Sequence, residues 1–150
     1  MSKEKSNIFT TLLLVFGGLW LLNKVINQPK NQAGIFGFNF VRNLIPYSDK
    51  FGNEVFKNDF KNFDNKELTV IIGDMIYTGR QKEQLSMPFY KTLIGTNITG
   101  EFRNGQFRIL VYKLNKEDFL MLSVFKKKTN ETPKNEIERA EKRLNEYLNR

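Results

Sequence analysis

Residues 98–114 read ITGEFRNGQFRILVYKL and carry the clearest structural pattern in the chain. Asn104-Gly105 is the strongest short hairpin signal known, and apolar and polar residues alternate on both sides of it. A two-residue loop at this point predicts that Glu101 lies opposite Arg108 on the neighbouring strand. The stretch therefore predicts an antiparallel hairpin with two distinct faces.

The alternation assigns every second side chain of the hairpin to the same face. One face is apolar, and we expect it to pack on helices. The other is mostly polar, and we expect it to stay open to solvent. The apolar face carries Ile98, Phe102, Phe107, Ile109 and Val111, and the polar face carries Thr99, Glu101, Arg103, Arg108, Leu110 and Tyr112.

Patterns upstream of the hairpin predict a strand and two helices. Residues 36–41 (FGFNFV) alternate like a first strand, and residues 53–63 carry phenylalanines at helical spacing. Asp64 and Glu67 resemble a capping box that begins a second helix. Gly79 has the residue type expected just beyond the end of that helix.

Downstream, residues 119–125 (FLMLSVF) are nearly all apolar, as in a central strand. Thr132 then has the residue type of a helix cap, with Pro133 as the first residue of a final helix. The predicted order is βααβββα. It indicates an α+β fold in which helices back a small, mainly antiparallel sheet.

Composition limits the chemistry that the chain can perform. Its 150 residues are enough for one domain of ordinary size, and its net charge of +8 favours a polyanionic partner. The absence of Cys excludes a disulfide scaffold, a thiolate zinc site and a cysteine nucleophile. The absence of His removes the commonest general base. Any catalysis must therefore use Lys, Arg, Tyr or carboxylates.

The N-terminal segment is strongly apolar. Residues 8–26 reach roughly the 20 residues of a membrane-spanning helix. We therefore expect a hydrophobic anchoring helix within residues 1–26, a polar linker over 27–35 and one domain over 36–150. The basic residues after the span favour a C-terminal domain in the cytoplasm. A signal peptide or a buried core helix are the alternatives, and without an anchor we expect a cytoplasmic protein.

Several motifs of the C-terminal part occur together in a characteristic order. They are KTLIGT (91–96), EFR (101–103), FRIL (107–110), FKKKT (125–129), TP (132–133) and EI (136–137), followed by Ala140 and Tyr147. In this order they resemble the RelE/ParE superfamily of bacterial and phage toxins, in particular its HigB-like, phage-derived branch. The resemblance covers residues 53–149 and is strongest over 89–149. It implies a small curved antiparallel sheet backed by helices, often written RelE-like.

The resemblance implies the toxin of a type II toxin–antitoxin system. Such a toxin is an endoribonuclease, or mRNA interferase, that cleaves mRNA on the ribosome. A cognate antitoxin, which we expect to be of the helix-turn-helix type, neutralises it. The 2′-OH of the RNA attacks the adjacent phosphate, so we expect neither a metal nor another cofactor. The alternative is a non-catalytic, toxin-like phage or mobile-element membrane protein that binds RNA or a partner.

The resemblance also implies which residues form the catalytic site. Arg108 aligns with an arginine that stabilises the phosphate, and Lys127 aligns with the basic residue after the last core strand. Arg103 and Lys91 are further basic positions of the family pattern. Tyr112 is the aromatic residue after the FRIL motif, and the alternative is that its ring simply packs on its strand neighbours.

Three lysines follow the predicted central strand directly. We expect Lys126, Lys127 and Lys128 to contact RNA phosphates, which would make binding depend on salt rather than on base sequence. A solvated turn before the last helix is the alternative.

Three positions depart from the family pattern. Ser123 stands where the branch often has a histidine, and Thr99 and Glu101 stand where ribonuclease members outside the branch have lysines. A carboxylate beside Arg108 partly neutralises that arginine. Glu101 and Arg108 therefore form either a simple cross-strand ion pair or a part of the site.

Overall fold

A five-stranded sheet and three α-helices form the part of the chain that the structure, a computed structural model, describes, residues 40–150. The strand order is β1-β5-β4-β3-β2, with β1 parallel to β5 and the other pairs antiparallel. The fold is therefore α+β with a mainly antiparallel sheet, as predicted. In chain order the elements are β1 (Asn43–Pro46), α1 (Val55–Asp59), α2 (Asn65–Arg80), β2 (Tyr90–Thr92), β3 (Gly100–Asn104), β4 (Phe107–Lys113), β5 (Asp118–Lys126) and α3 (Lys134–Leu148).

The start of the domain differs from the prediction. Strand β1 begins at Asn43, and Phe40 and Val41, the described residues of the predicted strand, lie outside it. The predicted hydrophobic helix over residues 1–26 and the linker over 27–35 lie outside the described residues. Within 40–150, no helix has the length and the apolar content needed to cross a membrane. The short strand β2, which the sequence pattern did not predict, adds a fifth strand to the sheet.

Helix α2 begins as predicted. The Asp64 carboxylate accepts a hydrogen bond from the backbone N–H of Glu67 at 2.9 Å. The Glu67 carboxylate in turn accepts one from the backbone N–H of Asp64 at 3.1 Å. This reciprocal pair satisfies two N–H groups that the first helical turn leaves without partners. The predicted apolar stripe of the helix is buried against the sheet; it comprises Leu68, Ile71, Ile72 and Met75.

The prediction for Gly79 is wrong, because the helix continues through it to Arg80. A Cβ atom on this glycine would lie 2.4 Å from Cδ1 of the Phe40 ring. The carbonyl of Gly79 also accepts hydrogen bonds from the backbone N–H groups of Val41 and Arg42, at 2.8 and 3.1 Å. Glycine is therefore needed here for the close approach of the preceding chain, not for helix termination.

The hairpin turn lies one residue further along than predicted. Asn104 belongs to β3 and pairs with Phe107, so that Gly105 and Gln106 form the two-residue loop. Gly105 adopts a φ of 53°, which a residue without a side chain tolerates. The side-chain amide of Asn104 donates to the carbonyl of Val70 in α2 at 3.3 Å. This tertiary contact accompanies the pairing of Asn104 within the strand.

The altered turn shifts the strand register by two residues. Arg103 lies directly opposite Arg108, and Glu101 lies opposite Leu110. The predicted pairing of Glu101 with Arg108 as direct neighbours is therefore wrong. A shift by an even number of residues keeps each side chain on its predicted face, because the side-chain period of a strand is two.

Much of the polar face of the sheet is covered and not open to solvent, contrary to the prediction. Leu110 and Ser123, which are paired on β4 and β5, are fully buried. The Ser123 hydroxyl donates to the Glu136 carboxylate and accepts from Arg139, and both partners lie on α3. An amphipathic helix must bury its apolar stripe, and α3 does so by covering this face of the sheet.

The start of α3 also differs from the prediction. The helix begins at Lys134, with Pro133 in the capping position and no side-chain cap. Thr132 instead donates its hydroxyl to Glu101 on β3, at 3.0 Å. A residue of a type that usually caps helices therefore joins the loop before α3 to the sheet.

Candidate nucleic-acid interface

A buried carboxylate lies at the centre of the site. Glu101, in the interior of β3, is 1% exposed. Its Oε1 atom lies 3.4 Å from Nε of Arg103 and 3.5 Å from Nε of Arg108. Its Oε2 atom accepts a hydrogen bond from the hydroxyl of Thr132. Because an isolated buried charge is very costly, these partners are what allow a carboxylate at this position.

The register of the hairpin explains why the carboxylate is needed. Arg103 and Arg108 are direct cross-strand neighbours, and like charges in such positions repel each other. Glu101 lies two residues from Arg103 on the same face of β3, and therefore reaches both guanidinium groups. The predicted ion pair of Glu101 and Arg108 thus forms diagonally, and it includes Arg103.

The guanidinium of Arg108 is held rigidly beside the hairpin turn. Its Nη1 atom donates to the carbonyls of Gly105 and Phe107, at 2.8 and 2.6 Å. Its Nε–H has no hydrogen-bond acceptor among residues 40–150, so the contact with Glu101 is an ion pair only. Burial lowers the pKa of Arg108, with the charge of Arg103 acting in the same direction. A pre-oriented guanidinium of this kind is suited to binding a phosphate.

Lys127 follows β5 and lies beside the same turn. Its backbone N–H donates to the carbonyl of Gln106 at 2.7 Å, and its side chain is only 9% exposed. Burial lowers the pKa of the Lys127 ammonium; Glu101 opposes this effect, whereas the cations around it reinforce it. Those cations are Arg108, Arg103 and Lys91. Lys127 therefore releases its proton more readily than a solvated lysine does.

Two surface clefts meet at Lys127. The first, which we name the arginine cleft, has a volume of about 230 Å³ and is lined by Arg103, Arg108, Lys127 and the loop that follows. The second, the loop cleft, has a volume of about 360 Å³ and includes Lys91 and Ile94. Both clefts are also lined by residues of the loop before α3. A chain with charges at regular intervals can therefore contact both clefts at once.

Four of the five predicted catalytic residues come together around Glu101. Arg103, Arg108 and Lys127 line the arginine cleft, and Lys91 lies opposite Glu101 on β2. Tyr112 is not among them. It is half-buried against the core, four residues from Arg108 along β4, which corresponds to about 13 Å.

The three consecutive lysines do not form one surface. Lys126 points to the other side of the sheet, where its ammonium donates to the Glu67 carboxylate at 2.8 Å. That contact raises the pKa of Lys126. Lys127 and Lys128 line the arginine cleft. Of the three lysines predicted to contact phosphates, two therefore line this cleft.

Two polar residues near the site are absent from the sequence prediction of the site. Thr132 has the residue type of a helix cap, and only the tertiary structure shows its contact with Glu101. Asp74 is buried in α2, where burial raises its pKa to about 7 although the charge of Arg108 opposes the shift. A signal for Asp74 was available, because a carboxylate next to Met75 interrupts the apolar stripe of a helix.

A larger basic cleft lies at the opposite end of the sheet. Its volume is about 500 Å³, and its lining includes Arg42, Lys82, Lys113 and Lys116. Arg42 is committed to the end of α2, because its guanidinium donates to the carbonyl of Thr78 at 3.4 Å. None of the predicted site residues lines this cleft, so its lysines provide controls for the site at Glu101.

One comparison with known proteins identifies a relationship. A family model described as "Phage derived protein Gp49-like (DUF891)" matches residues 58–145, which is more than half of the chain. The matched range contains α2, all strands from β2 to β5, and every residue of the cluster around Glu101. No curated protein matches the chain.

Proposed function

The chain belongs to the Gp49-like family of phage-derived proteins, a RelE/ParE-like toxin family, and on this premise we propose that it is the toxin of a type II toxin–antitoxin pair. In this proposal it belongs to the HigB-like branch and cleaves mRNA on the ribosome, and a cognate antitoxin of the helix-turn-helix type blocks it. The observation that carries the proposal is the convergence of three buried or half-buried cations, Arg103, Arg108 and Lys127, on one cleft.

The proposed reaction uses the RNA's own nucleophile. The 2′ oxygen attacks the adjacent phosphorus, the bond from phosphorus to the 5′ oxygen breaks, and a 2′,3′-cyclic phosphate remains. Arg108 binds the phosphate and offsets the charge that develops in the transition state, and Arg103 adds to this field. Because the Arg108 guanidinium is already fastened to the turn, little of its orientation has to be fixed on binding.

Two protons must move in this reaction. The 2′-OH loses its proton to water, and the departing 5′ oxygen gains one. We assign the second transfer to the Lys127 ammonium, because burial and neighbouring cations lower its pKa. A lysine whose pKa is lowered donates its proton more readily than a fully solvated lysine does.

One observation favours a second candidate function. Glu101 lies within 3.5 Å of both arginines and partly neutralises the cleft. A partly neutralised cleft is better suited to binding than to stabilising a dianionic transition state. The second candidate is therefore a non-catalytic protein that binds RNA or a partner. For both candidates we propose that residues 8–26 anchor the chain in the membrane, with the C-terminal domain in the cytoplasm.

Induction of the full chain in bacteria separates the two candidates. The catalytic proposal predicts growth arrest together with new 5′ ends within translated mRNA. The Arg108→Ala variant should abolish both effects, and Lys116→Ala, at the other end of the sheet, should abolish neither. Growth arrest with intact mRNA would support the binding protein instead. Arrest and cleavage by Arg108→Ala equal to those of the unaltered chain would contradict the assigned site.

A further inference from the structure

Ile94 is the most exposed large hydrophobic residue that the described part of the chain contains. Its side chain is 95% exposed, at the loop between β2 and β3. The next residue, Gly95, has a φ of 77°, so the backbone turns sharply after Ile94. A single exposed apolar side chain is common on protein surfaces and does not by itself indicate a binding site. Ile94 is of interest because of its position, since it lines the loop cleft.

The loop cleft combines two kinds of surface. Leu93, Ile94 and Ile137 provide an apolar wall, and Asn130 provides an amide that both donates and accepts hydrogen bonds. Lys127 and Asn130 also line the arginine cleft, so the two clefts are continuous. A ligand that carries a negative charge beside an apolar group with a polar edge is complementary to both clefts.

A nucleotide has this combination of groups. We propose that the loop cleft binds the nucleobase next to the phosphate held in the arginine cleft, and that Ile94 packs on the face of the base. Proteins that bind single-stranded nucleic acid combine a basic groove with platforms for the bases in this way. The inference rests on the proposed function, because it takes the ligand of the arginine cleft to be RNA.

The charges of the loop cleft favour RNA over a protein segment as its occupant. The lining of the loop cleft contains two lysines, Lys91 and Lys127, and one acidic residue, Glu131. The net positive charge of this lining attracts a polyanion. The amide of Asn130 can read a base edge, since Asn forms paired hydrogen bonds with adenine. An antitoxin side chain on Ile94 is the competing occupant, and the experiment below distinguishes it.

The experiment measures binding of the full chain to short single-stranded RNA by fluorescence anisotropy. The RNA carries 2′-O-methyl groups, which prevent cleavage. Packing a base on Ile94 covers about 60 Å² of apolar surface, so Ile94→Ser should weaken binding about tenfold. The control is Phe51→Ser, which alters a side chain that is 79% exposed but lines neither cleft. This control should bind as the unaltered chain does.

A second set of RNAs identifies the contact. Each RNA lacks one base, and in the unaltered chain one such position should weaken binding about tenfold. In Ile94→Ser the same missing base should cost almost nothing further, because both changes remove the same contact. Additive losses, or equal binding by Ile94→Ser and Phe51→Ser, would overturn the inference.

Two further outcomes separate this inference from the proposed function. If Ile94→Ser loses affinity for the antitoxin but not for RNA, the occupant of the loop cleft is a protein and the inference is wrong. If Arg108→Ala binds RNA as tightly as the unaltered chain, or if the unaltered chain binds none, the assigned RNA site itself fails. In that case the nucleobase site fails with it.

Discussion

Replacing Glu101 by glutamine removes the charge at the centre of the site and keeps the shape of the side chain. In the unaltered chain this carboxylate lies 3.4 and 3.5 Å from two guanidinium groups and accepts one hydroxyl. The variant leaves Arg103 and Arg108 as direct cross-strand neighbours without the carboxylate that contacts both. Loss of one partner in a buried ion pair costs about 3–5 kcal/mol, so we expect the free energy of unfolding to fall by that amount.

Urea unfolding measures this loss, and a second variant calibrates it. Thr132→Val removes only the hydroxyl contact with the charged Glu101 carboxylate, and it should cost about 1.5–3 kcal/mol. Added salt should restore part of the stability of Glu101→Gln, because screening weakens the repulsion between the arginines. It should restore little in Thr132→Val. A loss below 1 kcal/mol in Glu101→Gln, without salt dependence, would refute the view that Glu101 holds the two arginines together.

The same variant, assayed at a temperature where it remains folded, tests the role of Glu101 in the reaction. If Glu101 only offsets the charge of the arginines, Glu101→Gln should cleave RNA at least as fast as the unaltered chain. If Glu101 accepts a proton, cleavage should be lost, as it should be in Arg108→Ala. The second result would contradict the assignment of the 2′-OH proton to water.

Three further predictions have defined outcomes. The pKa of Asp74 is raised from 3.8 to about 7, so the folded chain holds a proton that the unfolded chain releases, and the free energy of unfolding should fall as the pH rises through this range. Asp74→Asn should remove this pH dependence in urea unfolding and raise the free energy of unfolding by up to about 4 kcal/mol above pH 7. An unchanged pH profile would contradict this prediction. Lys128→Ala should reduce the slope of log affinity for RNA against log salt concentration by about one. Lys126→Ala should leave that slope unchanged, because Lys126 pairs with Glu67. Equal slopes for the two variants would refute this division. If residues 8–26 span a membrane, the full chain should stay in the membrane fraction after carbonate extraction, and its recovery as a soluble protein would contradict the anchor.

Local sequence signals predicted the parts of the fold that depend on neighbouring residues. The capping box of Asp64 and Glu67 formed as expected because both partners lie within one helical turn. The faces of the hairpin were also correct, since alternation along a strand survives a register shift of two residues. The family motifs indicated the cluster around Glu101 because they include Arg103 and Arg108 together.

The parts that failed depend on tertiary contacts. The hairpin register differs from the predicted one. In the observed register Asn104 contacts a carbonyl of α2, and no pattern within the hairpin encodes this contact. Gly79 has the signature of a helix end, but it serves the approach of Phe40 from a segment almost forty residues earlier in the sequence. Thr132 has the signature of a cap, but its partner is a buried carboxylate on another element. Residue types restrict such roles, and only the folded chain selects among them.

The central claim is that Arg108 stabilises the phosphate during RNA cleavage. It is tested most directly by the single-turnover rate at which the purified full chain cleaves mRNA on programmed ribosomes. Loss of a pre-oriented donor to a transition state typically costs about 2.7–4 kcal/mol, so Arg108→Ala should react about 100 to 1,000 times more slowly, and Lys116→Ala at the rate of the unaltered chain. Equal rates for all three proteins, or no cleavage by the unaltered chain, would contradict the claim.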